Sequence, residues 1–90
     1  MTVLKVSFFA SLREATGHSD LQVAIDSCTA LDAHLQHTLS ADGYAALLAD
    51  NVRLAVDQQL VDESWSQLIA QDKPLVGVQE LAFLPPVTGG

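Results

Sequence analysis

The chain has 90 residues and 49% of them are hydrophobic, which predicts a single globular domain and argues against a disordered chain. Four basic residues against eleven acidic ones give a formal net charge of −7, which argues against nucleic acid or an anionic membrane as the ligand, because both need a basic patch. No apolar run approaches the ~20 residues of a membrane span and the first residues are strand-like, so we expect a cytosolic chain without a signal peptide.

The first quarter of the chain predicts an antiparallel hairpin with a short helical turn inside it. Residues 2–9 and 20–25 alternate between apolar and polar side chains, as half-buried strands do. The apolar positions are Leu4, Val6 and Phe8 in the first strand and Leu21, Val23 and Ile25 in the second. Between the strands, Ser11 with Glu14 three residues later predicts a capping box with Ser11 at the N-cap, and Gly17 ends the turn.

The middle of the chain predicts the main helix. Leucines recur at a spacing of four through a segment that ends near Ser40, which is the pattern of an amphipathic helix. These leucines are Leu31, Leu35 and Leu39. Ser27 or Thr29 can cap the start of this helix. Asp42-Gly43 is expected to break it before a further short helix at 44–48.

The later elements complete an α+β roll. Strands are predicted at 52–56, 59–61 and 81–84, with a turn between the first two. Residues 64–70 are ambiguous and could hold a helical turn around Trp65. The order ββαβββ places one main helix across a mixed sheet of about four to five strands. Residues 1–84 are assigned to this domain and residues 85–90 to a C-terminal tail.

The tail is the most unusual part of the sequence. Pro85 and Pro86 favour an extended path of roughly 3.1 Å per residue, which would carry the carboxylate of Gly90 roughly 15–20 Å beyond the last strand. Because Gly89 and Gly90 have no side chains, the active site of another protein could enclose this backbone and act on its end. A frayed terminus is the alternative.

No constellation of catalytic residues emerges from the sequence. His34 and His37 have a spacing that suits two metal ligands on a helix, but Asp32 is only a loose third candidate, so a solvated helix face is the better interpretation. The single cysteine, Cys28, excludes an internal disulfide and is expected to be a small buried hydrophobic residue rather than a sulfur-handling thiol. We therefore expect a chain that is not a catalyst by itself.

Two apolar residues near the tail predict a docking surface. Phe9 lies on the otherwise polar face of the first strand, and Leu84 lies on the outward face of the last strand. If these strands are parallel neighbours, both residues lie where the tail departs, with Arg13 as a polar anchor at the rim. The alternatives are that a loop or the Trp65 region covers Phe9 and that Arg13 is merely solvated. The acidic chain favours a basic partner, although its charge can also serve solubility alone.

Three stretches of the sequence resemble the small subunit of molybdopterin synthase, and the similarity runs from end to end. They are VSFFA at 6–10 followed by LRE at 12–14, AVDQ at 55–58, and LAFLPPVTGG at 81–90. Asparagine often stands in this family where the chain has Asp57. The chain departs from the family at 62–70, which is longer here, and at 76–80, which replaces an acidic, glycine-containing turn.

The resemblance implies a β-grasp fold like that of ubiquitin, with the first and last strands central and parallel, and a role as a sulfur carrier. In the family an E1-like activating enzyme uses ATP and magnesium to adenylate the terminal glycine carboxylate. Sulfur from a donor protein then replaces the adenylate and gives a thiocarboxylate. The carrier docks on the large subunit, in a heterotetramer, and its sulfur passes to cyclic pyranopterin monophosphate to form the dithiolene of molybdopterin.

Carried over to this chain, the resemblance makes Gly90 the sulfur-bearing residue, while Gly89 and the preceding tail (Pro85, Pro86, Val87 and Thr88) thread the partner's channel. It makes Phe9, Arg13 and Leu84 the partner contacts and implies no cofactor bound by the chain itself. The alternatives are a carrier for thiamine synthesis or transfer-RNA thiolation, a ubiquitin-like protein modifier, and a binding module with an inert tail.

Overall fold

The computed structural model describes residues 3–49 and 51–85. In those ranges nine elements follow one another. They are β1 (Leu4–Phe8), α1 (Ser11–Thr16), β2 (Asp20–Val23), α2 (Cys28–Thr38), α3 (Ala41–Leu47), β3 (Arg53–Val56), β4 (Gln59–Val61), α4 (Trp65–Gln71) and β5 (Glu80–Leu84). The predictions for Pro86, Val87, Thr88, Gly89 and Gly90 lie outside the described residues. None of the described helices is both long enough and apolar enough to span a membrane.

The five strands form one mixed sheet in the order β2-β1-β5-β3-β4. Strands β1 and β2 form the predicted antiparallel hairpin. Strand β5 is the central strand and runs parallel to β1 and antiparallel to β3. The first and last strands are therefore adjacent and parallel, as the resemblance implied.

The core lies between the inner face of the sheet and the helices. Alternate residues of β1 and β5 are buried there together with Leu31 and Leu35 of α2 and with Leu39, the residue that caps the end of α2. Phe8 and Phe83 are cross-strand partners whose ring centroids lie 5.7 Å apart, and the indole of Trp65 packs edge-on against Phe83.

The ambiguous segment at 64–70 contains a helix, α4, whose buried side packs against the core. Ser64 and Gln67 form a capping box at its start.

The predicted capping box of α1 is wrong by one residue. Ala10, not Ser11, is the N-cap, and no side chain accepts a hydrogen bond there. The chain instead turns through its backbone, because Leu12 donates to the carbonyl of Phe9 at 3.0 Å and Arg13 donates to that of Ala10 at 3.1 Å. Ser11 is thus already helical, and Ala10 takes φ 50° and ψ −123°, a conformation that usually needs glycine. The predicted stop at Gly17 is confirmed, with φ 76°.

The predicted break of the main helix at Asp42-Gly43 is also wrong. Helix α2 ends at Thr38, and Ser40 caps α3, within which Gly43 lies. The glycine serves helix packing instead, because a Cβ added there would lie 2.9 Å from the backbone oxygen of Ala15 in α1. At the other end of α2, Ser27 is the N-cap and its hydroxyl accepts from the amide of Ala30, which settles the choice between Ser27 and Thr29.

Candidate functional site

Phe9, which directly follows β1, and Leu84, the last residue of β5, lie side by side on the outer face of the sheet, where the tail begins. The register pairs Phe8 with Phe83, and the amide of Phe9 donates to the carbonyl of Phe83 at 3.3 Å, which places Phe9 beside Leu84. The Phe9 side chain is 45% exposed and that of Leu84 is half-buried. Trp65 is buried on the other side of the sheet, so it does not cover Phe9.

The centre of the outer face is built from small side chains. Ser7, Ala82 and Ala55 are cross-strand neighbours, and all three are buried. The next residue in this row is Leu60 on the edge strand β4, which pairs with Ala55 and is 63% exposed. We call the surface formed by Phe9, Leu60, Ala82 and Leu84 the outer patch. It is an apolar surface of the kind that partners bind.

Leu60 was not among the predicted site residues. The alternation within a three-residue strand does not show which face is outward, so only the pairing with Ala55 reveals that Leu60 joins the patch. The turn that sets this register consists of Asp57 and Gln58, both with positive φ. The Asp57 carboxylate also accepts from the amides of Gln79 and Glu80 at 2.9 Å, so it ties this turn to the start of β5.

Arg53 borders the tail end of the outer patch, and Arg13 lies close to Phe9 in the sequence. Arg13 is exposed on α1, four residues after Phe9. Arg53 is the cross-strand partner of Leu84 on β3 and is exposed as well. Arg53 was not among the predicted site residues, because no local pattern in the sequence places β3 next to β5. The opposite end of the face carries both signs of charge, because Glu80 is the cross-strand partner of the exposed Lys5. The Glu80 carboxylate also accepts from the hydroxyl of Ser7 at 2.7 Å.

Asp32, which the sequence offered as a possible third metal ligand, has a structural role. It is buried, and its carboxylate accepts hydrogen bonds from the indole Nε1 of Trp65 at 3.1 Å, the amide of Gln36 at 2.7 Å and the hydroxyl of Tyr44. Burial, followed by the hydrogen bond to Asp32, raises the pKa of Tyr44 to about 12, so its hydroxyl remains a donor. In the described ranges, no group of three histidine, cysteine or acidic side chains could hold a metal ion.

Three other candidates for metal binding or sulfur chemistry lie on α2, namely Cys28, His34 and His37. His34 and His37 are exposed on α2, which agrees with a solvated helix face. Cys28 is fully buried at the start of α2, as expected of a small hydrophobic residue. Burial and then the negative charge of Asp72 raise the pKa of the Cys28 thiol from 9.0 to about 11, so it is neutral and poorly nucleophilic at pH 7.

Comparisons with known proteins agree with this architecture. The sequence profile of the ThiS family matches residues 6–90. The chain is 39% identical, over 89 residues, to the molybdopterin synthase sulfur carrier subunit of Escherichia coli K12, with 98% of this chain and 100% of that protein covered.

Solved structures show the same fold. The solution structure of small archaeal modifier protein 1 from Methanosarcina acetivorans superposes with a TM-score of 0.67 at 23% identity, covering 100% of this chain and 98% of that one. A putative molybdopterin converting factor subunit 1 from Pyrococcus furiosus gives 0.61 at 17% identity, covering 97% and 100%. The predicted β-grasp fold is confirmed. On the family profile and the near full-length similarity to a curated relative, the chain belongs to the ThiS family.

Proposed function

We propose that the chain is the sulfur-carrier subunit of a molybdopterin synthase. The observation that carries this proposal is the 39% identity to the E. coli carrier subunit along almost the whole of both chains. The sequence also ends in Gly89-Gly90, which the chemistry of a C-terminal sulfur carrier requires. The geometry supports the proposal because β5 ends at Leu84, a residue of the outer patch, so the tail begins at Pro85 beside that patch.

The chemistry of this proposal takes place on the carboxylate of Gly90. A carboxylate is a poor electrophile, so an E1-like activating enzyme must first join it to AMP, using ATP and magnesium and releasing pyrophosphate. Sulfide released by a donor protein then attacks the same carbon. A carbon–sulfur bond forms as the carbon–oxygen bond to AMP breaks, so AMP leaves and a thiocarboxylate results. The absence of side chains at Gly89 and Gly90 permits the close approach of both partners to this carbon.

The second stage delivers the sulfur. The large subunit binds the outer patch through Phe9, Leu84 and the rim residue Arg13, and the tail from Pro85 onward enters its active site. There the sulfur passes to cyclic pyranopterin monophosphate, and two such transfers complete the dithiolene of molybdopterin. The large subunit supplies the catalytic groups, while this chain supplies the docking surface and the sulfur. The assembly is a heterotetramer in the cytosol.

Intact mass spectrometry tests the proposal directly. The purified chain is incubated with the activating enzyme, ATP, magnesium and a sulfur donor, and conversion to the thiocarboxylate adds about 16 Da because sulfur replaces oxygen. The loaded chain is then mixed with the large subunit and the precursor, and molybdopterin formation is measured.

The outcomes separate the alternatives. Loading followed by molybdopterin formation supports the proposal. Loading without transfer indicates a carrier for thiamine synthesis or transfer-RNA thiolation, and conjugates to lysines of other proteins indicate a modifier. If deletion of Gly89 and Gly90 leaves the biological activity intact, the tail is inert and the chain is a binding module.

A further inference from the structure

The basic residues of this acidic chain are unevenly distributed. The sequence contains four lysines and arginines in total, against eleven acidic residues. Lys73 lies outside the outer patch and pairs with Glu63 at 3.7 Å, the one ion pair within 4.0 Å in the part of the chain that the structure describes. Lys5 is exposed at the other end of the outer face, as the cross-strand partner of Glu80. Arg53 is the cross-strand partner of Leu84, and Arg13 follows Phe9 by four residues. Arg53 is therefore the cation that the strand register places at the tail end of the docking surface.

Of the two arginines, Arg53 is the one better placed to contact a partner bound on the outer patch. It pairs with Leu84 in the antiparallel β3–β5 ladder, so both side chains project from the outer face, while the next residue, Leu54, is fully buried in the core. The β3–β4 register, continued by one residue, places Asp62 on its other side, and both residues line the same surface groove. Asp62 is exposed and lies farther than 4.0 Å from the guanidinium.

A guanidinium in this position is suited to an interface. It is weakly hydrated, and its planar donors match the two oxygens of a carboxylate. When a partner covers Leu84, it also removes water from the adjacent Arg53, so an uncompensated charge would cost binding energy. A carboxylate on the covering surface compensates this charge best, because it matches both the charge and the paired donors of the guanidinium.

We infer that Arg53 is a specificity-determining contact of the outer patch, and that the partner surface facing Arg53 and Arg13 carries carboxylates. This inference rests on the proposed function, which makes the large subunit the occupant. It adds a local exception to the expectation that an acidic chain favours a basic partner. A basic region of the partner serves long-range attraction, whereas the contact at the root of the tail is acidic on the partner's side.

A basic and an acidic partner surface at this point predict opposite effects of one substitution on the binding affinity. Arg53→Gln changes the formal net charge from −7 to −8. If the partner surface here is basic, the more acidic variant binds more tightly. If carboxylates face Arg53, the variant binds more weakly, because those carboxylates lose their counter-charge on burial.

The experiment is calorimetric titration of the carrier into the large subunit, at low and at physiological salt. We expect Arg53→Gln to weaken binding about tenfold, and Arg13→Gln to weaken it to a smaller extent. Lys73→Gln is the matched control, since it makes the same change in net charge outside the patch. This control should leave the affinity within about twofold of wild type. Thermal unfolding of each variant verifies that the domain remains folded.

An Asp62→Asn variant separates an interface role from an internal one. If Arg53 acts only by interacting with Asp62 within the chain, both substitutions weaken binding equally. We expect Asp62→Asn instead to preserve or strengthen binding, because it removes a carboxylate that competes for the guanidinium. If Arg53→Gln binds the large subunit as tightly as wild type or more tightly, the inference is overturned but the proposed function is not. Failure of the wild-type chain to bind the large subunit overturns the proposed function and the inference with it.

Discussion

Trp65 packs edge-on against Phe83, with the ring centroids 5.3 Å apart and an interplanar angle of 74°. The same indole donates to the buried carboxylate of Asp32, so α4 is tied at once to the central strand and to α2. Phe83 directly precedes Leu84 in β5 and stacks on Phe8, which directly precedes Phe9. The core beneath the outer patch is therefore an aromatic cluster held in one orientation, and this supports a preformed docking surface.

Removal of the Asp32 carboxylate is expected to destabilise the domain. Asp32→Ala leaves the buried indole of Trp65 and the hydroxyl of Tyr44 without their acceptor, so we expect a loss of about 2–3 kcal/mol in the free energy of unfolding. Urea denaturation measures it. The control is His34→Ala, an exposed residue of the same helix, for which about 0.5 kcal/mol or less is expected. Similar small losses for both variants would refute a role for the carboxylate.

The backbone at Ala10 is strained, so glycine should be tolerated better there than alanine. Its φ of 50° and ψ of −123° lie outside the regions open to residues with a Cβ, at a cost of order 1–3 kcal/mol. After the entropy cost of glycine, we expect Ala10→Gly to stabilise the domain by about 1 kcal/mol. Ala15→Gly, the same change inside α1, should destabilise it by about the same amount. Destabilisation by both variants would show that Ala10 is unstrained.

The outer patch makes a prediction for partner binding. Phe9→Ala, Leu60→Ala and Leu84→Ala should each weaken binding of the large subunit by about 1–2 kcal/mol, since each removes apolar area that the partner covers. Val76→Ala is the control, because Val76 is 69% exposed but lies outside the patch. Calorimetry measures the affinities, and a patch variant that binds like wild type would remove that residue from the interface.

Substitution of Gly90 is expected to impair sulfur carriage and to leave folding unchanged. Gly90→Ala adds a methyl group beside the reacting carbon, and a misplacement of about 1 Å in an enzyme site can cost about a hundredfold in rate. We expect loading or transfer of sulfur to fall by that order, while the thermal unfolding midpoint stays unchanged. Intact mass spectrometry measures loading, and a wild-type yield of molybdopterin from this variant would contradict the assignment of Gly90.

Cys28 should resist alkylation in the folded chain. Its pKa is raised from 9.0 to about 11 by burial, followed by the charge of Asp72, so little thiolate exists at pH 8. Since the folded state holds the proton more tightly, the stability from this group is complete below pH 9.0 and is lost as the pH rises through about 11. Iodoacetamide labelling followed by mass spectrometry at pH 8 should be slow until urea unfolds the domain. Rapid labelling of folded protein would contradict this prediction.

Much of the fold could be predicted because its signals are local. Alternation in β1, the leucines of α2 and the stop at Gly17 each depend on residues within a few positions of one another. The exact start of α1 could not be read in this way, because a backbone turn at Ala10 replaced the side-chain cap that Ser11 and Glu14 suggested. The outward position of Phe9 followed from alternation, and its proximity to Leu84 followed once β1 and β5 were taken as parallel neighbours.

By itself the sequence determined the order of the strands and main helix along the chain, the acidic balance and the Gly-Gly ending to which the proposed chemistry is assigned. Only the tertiary structure placed Arg53 and Leu60 on the docking face and joined Asp32 to Trp65, 33 residues away. The physical reason is that periodicity shows which residues of one element share a face. Strand register and helix packing decide which faces of different elements meet.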